Sequence, residues 1–171
     1  MRILHVRASN FYGGPERQLH FHARAARGTE FEITVASFSE GGAAPQFLKV
    51  IADDGLPTRL IPVNSAYDRH AVGRLRALLE EEKFDLLATH DYRSHALGWL
   101  AARGGRTGWI AFSRGFTREN LKVRLFQAGE KFISRFADRV VAVSHAQKER
   151  LVGSGVRAER IDVVHNAIDL A

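Results

Sequence analysis

The chain has 171 residues, 45% of them hydrophobic and 26% charged, the composition of one globular domain rather than two. It contains no cysteine, which excludes disulfides, thiolate catalysis and cysteine-based zinc sites and fits a reducing compartment such as the cytoplasm. No apolar run approaches the ~20 residues that cross a bilayer, and the formal charge of +6, from 25 Lys+Arg against 19 Asp+Glu, favours anionic partners or simply a solvated basic surface.

The first residues, Met1 to Val6, lack the long apolar stretch of a signal peptide and read as a strand over Ile3–Val6. A helix is predicted over Pro15–Arg27, with Pro15 suited to a first helical position. Phe31–Ser37 reads as the second strand, Pro45–Asp54 as a helix stopped by Gly55, and Thr58–Val63 as the third strand. His70–Lys83 carries Val72, Leu75 and Leu78 on one helical face. Asp85–Thr89 is a strand, Tyr92–Arg103 a helix ended by Gly104-Gly105, and Gly108–Ser113 a strand. A long helix follows over Arg118–Ala137, with Leu121, Leu125, Phe132 and Phe136 on one side. Arg139–Val143 is a strand, and Ser144 with Gln147 reads as a capping box that opens a helix. Ile161–Val164 is the last strand.

Alternation of about seven strands with helices requires crossover connections, and these require parallel pairing. The expected fold is α/β: a doubly wound, mainly parallel, Rossmann-like sheet with helices on both faces. The apolar runs do not alternate in polarity, as suits strands buried on both sides. No internal repeat or linker divides the chain.

In such sheets ligands bind beyond the carboxyl ends of the strands. After the first strand, Asn10 leads to Gly13-Gly14 just before a helix. Without Cβ atoms these glycines let a ligand approach amides at the positive helix end, although Gly-Gly is also common in plain loops. No G-x-G-x-x-G and no G-x-x-x-x-G-K-[ST] occurs, which disfavours nicotinamide dehydrogenases and P-loop enzymes. After the fourth strand come His90, Asp91 and Arg93, able to bind sugar hydroxyls or phosphate or to move protons. Asp91 can equally serve only the following helix start. After the fifth strand come Ser113 and Arg114, the arginine fork matching phosphate oxygens unless it is an ordinary surface arginine. His20 and His22 are two apart on a helix and point apart, no H-E-x-x-H or G-x-S-x-G is present, and a metal site is not expected.

Four segments resemble one known family. Phe11-Tyr12-Gly13-Gly14-Pro15-Glu16-Arg17 is similar to the Gly-Gly-x-Glu loop of retaining GT-B-fold glycosyltransferases, the "glycosyl transferases group 1" or family 4. Asp85 to His90 resembles its strand ending in histidine, Ala137 to Ser144 its A-D-x-hydrophobic-x-A-V-S segment, and Ile161 to Asp169 its I-x-V-I-P-N-G-I-D segment. The resemblance spans essentially the whole chain in the right order. Departures are Ser113-Arg114, where many relatives carry a histidine, and His165 and Ala167 in place of the usual proline and glycine.

The resemblance implies an amino-terminal, acceptor-side half whose carboxy-terminal, donor-binding domain is missing, so that the half alone is expected to be inactive. The full enzyme would transfer a sugar from a nucleotide-diphosphate sugar to a glycan or lipid-linked acceptor with retention, using no protein nucleophile, cofactor or metal. Gly13, Gly14, Ser113 and Arg114 would then face the donor diphosphate, with His90 the candidate catalytic group and Asn10, Asp91 and Arg93 on the acceptor side of the cleft. Two other readings keep the fold: half of a sugar-nucleotide epimerase, or a non-catalytic domain that binds an anionic sugar or nucleotide. The basic helix, with Arg118, Lys122, Arg124, Lys131 and Arg135 beside Phe126, Phe132 and Phe136, can lie on anionic lipid at the inner membrane face or be a core helix with a wet basic side. Nucleic acid is not an expected partner, because no recognition motif or stacking platform accompanies the charge.

Overall fold

The computed structural model describes residues 1–40, 42–65, 68–114 and 121–165, with the backbone alone for residues 40 and 121–127. Strands and helices alternate as β1 (Arg2–Val6), α1 (Gly14–Ala25), β2 (Glu32–Glu40), α2 (Gln46–Asp53), β3 (Thr58–Val63), α3 (Ala71–Glu81), β4 (Leu86–Thr89), α4 (Tyr92–Ala102), β5 (Gly108–Ser113), α5 (Leu121–Ser134), β6 (Arg139–Ala142), α6 (His145–Val152) and β7 (Ile161–Val163). The seven strands form one all-parallel sheet in the order β3-β2-β1-β4-β5-β6-β7. The chain winds outward to β3, returns across β1, and winds the other way to β7. The reversal falls between β1 and β4, the place where open α/β sheets form a crevice.

Side-chain alternation along each strand divides the core in two. On one face Leu4, Val6, Leu87, Trp109, Ala111, Val140 and Ala142 pack with Leu75 and Leu79 of α3, Ala101 of α4, Ile133 of α5 and Leu151 of α6. On the other, Ile33 and Val35 pack with Leu19 and Ala23 of α1 and Phe47, Leu48 and Ile51 of α2. The two layers are unequal. On the α1 side the inward positions of β5 and β6, Ile110, Phe112 and Val141, stay partly exposed.

Local chemistry sets the helix ends. α4 opens at Asp91, whose carboxylate accepts from the Ser94 amide at 2.9 Å, and α2 gives way to a left-handed Gly55 at φ 71°. Ser144 caps α6 by accepting from the Gln147 amide at 3.2 Å. The expected capping box is only half formed, because the Gln147 side chain reaches into the core to donate to Ser113 Oγ at 2.8 Å. Helix α5 ends at Ser134, short of the expected Ala137, and residues 118–120 of the expected helix lie outside the described residues, as do the side chains of Leu121 and Leu125. Phe132 and Phe136 are 51% and 47% exposed, so they do not serve the core. They stack instead with each other and with Trp99 of α4 at 5.4 and 4.8 Å between centroids.

Candidate active site at the tips of the central strands

Because β1, β4 and β5 are neighbours, the residues just past their ends meet. The loop after β1 is tied down first. Ala8 donates its amide to Asp91 Oδ2 at 2.7 Å, and Ser37 donates its hydroxyl to the Arg7 carbonyl at 2.8 Å. Glu16, fully buried in the first turn of α1, accepts from the Gly13 amide at 3.0 Å and from Arg7 Nε at 2.6 Å. Burial alone would raise its pKa. The bonds from Arg7 and Ser9 and the Arg7 charge outweigh that and hold it low, so Glu16 is a carboxylate.

The two glycines differ. A Cβ on Gly13 would lie 3.0 Å from the Phe11 ring and 3.1 Å from Glu16 Oε2, a tight fit in which the exposed Phe11 or the buried Glu16 must give way. A Cβ on Gly14 would meet nothing within 4 Å. Its amide lies in the first helical turn, where no intrahelical acceptor exists. The space above Gly14 is therefore open, at the positive end of α1.

His90 and Arg114 complete the opening. Arg114 Nη2 lies 3.2 Å from His90 Nδ1, and Nη1 donates to Gln18 Oε1 of α1. Arg114 thus joins the glycine-loop helix to the β4 tip, and its buried Nε has no partner among the described residues. Burial first, then the nearby Arg7, lowers its pKa to about 10, partly offset by Glu16. It remains a cation at neutral pH. Arg7 donates to the His90 carbonyl at 3.1 Å. The His90 ring stacks on Phe112 at 4.6 Å and meets the His5 ring of β1 edge to edge, 21° from parallel, with His90 Nε2 2.8 Å from His5 Nδ1. Burial, followed by the charges of its neighbours, holds both imidazoles neutral, with His5 pushed down to about 3 and His90 well below its ordinary value. Two guanidinium cations therefore face one carboxylate, beside an open helix start. Such a site attracts an anion.

Not every residue expected in the site joins it. Gly13, Gly14, His90 and Arg114 converge. Ser113 points to the opposite face, fully buried, with Gln147 donating to it and Glu130 at 3.5 Å. Asp91 is engaged by the Ala8 and Ser94 amides and serves as the α4 cap, and burial raises its pKa. Arg93 lies over the Phe38 ring at 5.0 Å and donates to the Ser65 carbonyl at 3.3 Å, on the β2–β3 side. Asn10 is exposed and accepts from the Gln46 amide at 3.3 Å. Sequence reasoning missed His5, Arg7 and Gln18. Arg7 directly follows β1 and was open to the same strand-tip rule. His5 lies inside a strand and gives no such signal.

Behind the site is a second polar cluster. His95 Nδ1 is 2.6 Å from Thr89 Oγ1, which also accepts from Trp109 Nε1 at 2.9 Å. His95 Nε2 faces Glu130 Oε1 at 3.8 Å. Burial pushes His95 down to about 3 and, aided by Asp91, pushes Glu130 up to about 7.

A doubly wound parallel sheet with charged residues gathered at the switch-point crevice places the chain among the Rossmann-like α/β folds. Within that class the chain belongs to Glycosyltransferase Family 4, whose sequence pattern matches residues 12–171. Fold and family together make it an amino-terminal GT-B glycosyltransferase domain. No curated protein matches the chain. Among solved structures, HepE from Anabaena in complex with UDP is 22% identical with a TM-score of 0.74, over 99% of this chain and 45% of that one. The lipopolysaccharide outer core galactosyltransferase WaaB, in its apo form, is 17% identical with a TM-score of 0.72, over 100% of this chain and 47% of that one. UDP-GlcNAc 2-epimerase from Neisseria meningitidis bound to UDP-GlcNAc is 15% identical with a TM-score of 0.72, over 97% and 47%. The chain thus spans less than half the length of these proteins.

Proposed function

We propose that this chain forms the acceptor-side half of a retaining glycosyltransferase that uses a nucleotide-diphosphate sugar, a second domain supplying most of the donor site. The observation that carries this reading is that the Arg7 and Arg114 guanidinium groups both bond the early turns of α1, at Glu16 and Gln18, while its first residue Gly14 has open space at the Cβ position. In sugar transfer, negative charge builds on the leaving diphosphate as the anomeric centre approaches an oxocarbenium ion. Fixed cations and helix amides stabilise that charge without reorganising. Their role needs no metal. The family membership and the UDP and UDP-glucose carried by HepE support a nucleotide-sugar donor. His90 acts from the cleft wall and does not serve as a general base, because neighbours occupy both of its ring nitrogens.

A donor panel tests this reading. Nucleoside diphosphate release with sugar appearing on a glycan or lipid-linked acceptor is expected, and it should fall when Arg114 or His90 becomes alanine. Unchanged turnover in both variants would remove these residues from the site. Inversion within the sugar nucleotide, with no transfer, would favour the epimerase reading, which the UDP-GlcNAc 2-epimerase folds keep open. Binding without turnover by a full two-domain protein would favour a non-catalytic role.

We also place the protein at the cytoplasmic membrane face, with the exposed Phe132 and Phe136 and the neighbouring Arg135 against anionic lipid. Among the described residues no helix is long and apolar enough to cross a membrane. Sedimentation with vesicles tests the placement: no preference for anionic over neutral lipid would remove it.

A further inference from the structure

His5 has no part in the reading above, yet it is 2% exposed and directly behind His90. Counting donors fixes the protons of this pair. A guanidinium can only donate, so the His90 Nδ1 that faces Arg114 at 3.2 Å is a lone pair. The neutral His90 ring then carries its proton on Nε2 and donates it to His5 Nδ1 at 2.8 Å. His5 in turn carries its proton on Nε2, a buried nitrogen with no partner among the described residues.

The alternatives fail on the same count. Moving the His90 proton to Nδ1 sets an N–H against the Arg114 N–H. Adding a further proton to the pair does the same. The Arg114–His90 contact therefore exists only while both rings are neutral and share this one tautomer. The surroundings keep them so. Burial first, and then His22 of α1, Arg114 beyond β5, Arg7 beyond β1 and His95 of α4, disfavour added positive charge. The nearby carboxylates are otherwise engaged: Glu16 by Arg7 and Gly13, Asp91 by Ala8 and Ser94, while Glu130 faces His95.

We propose that His5 is a positioning residue for Arg114: by accepting from His90 it sets the His90 tautomer and so holds the guanidinium at the mouth of the cleft. Its binding consequence rests on the cleft being an anion site; its tautomer consequence does not.

The test has two arms on the 171-residue chain. Long-range proton–nitrogen NMR at pH 7 should show His90 protonated at Nε2 and bare at Nδ1. It should also show His5 protonated at Nε2, with a nitrogen–nitrogen coupling across the His90–His5 hydrogen bond. The opposite His90 tautomer, or no coupling, overturns the proposal. The second arm titrates inorganic pyrophosphate. His5→Phe should weaken binding about tenfold, the loss of one charge-assisted contact, to the level of Arg114→Ala. The double variant should bind no more weakly than either. His5→Asn, whose carboxamide oxygen takes the place of Nδ1, should bind like the unaltered chain. A folded His5→Phe that binds pyrophosphate normally overturns the role. If the unaltered chain binds no pyrophosphate and Arg114→Ala changes nothing, the anion reading of the cleft fails, and the tautomer measurement alone decides for His5.

Discussion

His90 and His95 are five residues apart, both buried and both held neutral, yet they sit in opposite kinds of surroundings. His95 faces inward, where Thr89, Trp109 and Glu130 enclose it between α4, α5 and the sheet. His90 faces the crevice, where its partners His5 and Arg114 each keep a buried nitrogen without a hydrogen-bond partner among the described residues; His95 Nε2 is in the same position, but it faces the Glu130 carboxyl at 3.8 Å inside the fold. A buried polar group surrounded from within fixes the fold. An unsatisfied buried group costs about 1–3 kcal/mol, and of these nitrogens it is Arg114 Nε that belongs to a cation at the crevice.

The largest expected effect concerns acid. His5 and His95 have folded pKa values near 3 against 6.5 unfolded. Their contribution is fully present above pH 6.5 and is lost as pH falls toward 3. At pH 4 that is about 3 kcal/mol for each. Glu130 has the opposite sign: raised to about 7 from 4.5, it contributes below pH 4.5 and loses that contribution as pH rises through 7, again about 3 kcal/mol. Glu130→Gln should therefore raise stability at pH 8 and steepen the acid loss, as urea unfolding at several pH values would show. A pH profile unchanged by this substitution would break the inner half of the comparison.

Next in size is Gly98→Val. A Cβ there would lie 2.7 Å from Thr89 Cγ2 and 3.2 Å from Leu87 Cδ2, so α4 must lift from the sheet and loosen the His95 cluster. Thermal unfolding should report a loss of about 3 kcal/mol. Arg114→Ala sharpens the outer half: diphosphate affinity should fall about tenfold, with a modest loss of stability because Gln18 Oε1 and His90 Nδ1 lose their donor. The smallest effect is Gly14→Ala. With open space at the Cβ position it should leave stability unchanged or raise it by less than about 1 kcal/mol, and yet weaken ligand binding. Calorimetry beside a binding titration checks both.

The sheet was legible in the sequence because alternating β-branched runs and helical periods leave few topologies. All seven strands lie where the pattern puts them, six of them shifted by at most about a residue at their ends, while β2 runs on past the expected Ser37 to Glu40. The strand-tip rule located Gly13, Gly14, His90 and Arg114 but could not tell which way each tip residue turns. Ser113 and Arg114 are adjacent and face opposite sides of the sheet. That follows from the two-residue period, which requires knowing which face α1 covers. His5 was hidden because its partner lies 85 residues away in sequence and meets it only through the β1–β4 pairing. The exposed Phe132 and Phe136 resemble a core stripe in sequence, and only the depth of α5 against α4 reveals otherwise.

The most direct test of the cleft is NMR shift mapping of the isotope-labelled chain with a nucleoside diphosphate. The account predicts shifts concentrated at the amides of Gly13 and Gly14 and at the Arg114 side chain, lost in Arg114→Ala. Shifts confined to the pocket at the other end of the sheet, lined by Arg76, Glu80, Lys83 and Arg106, with the β1, β4 and β5 tips unmoved, would contradict it.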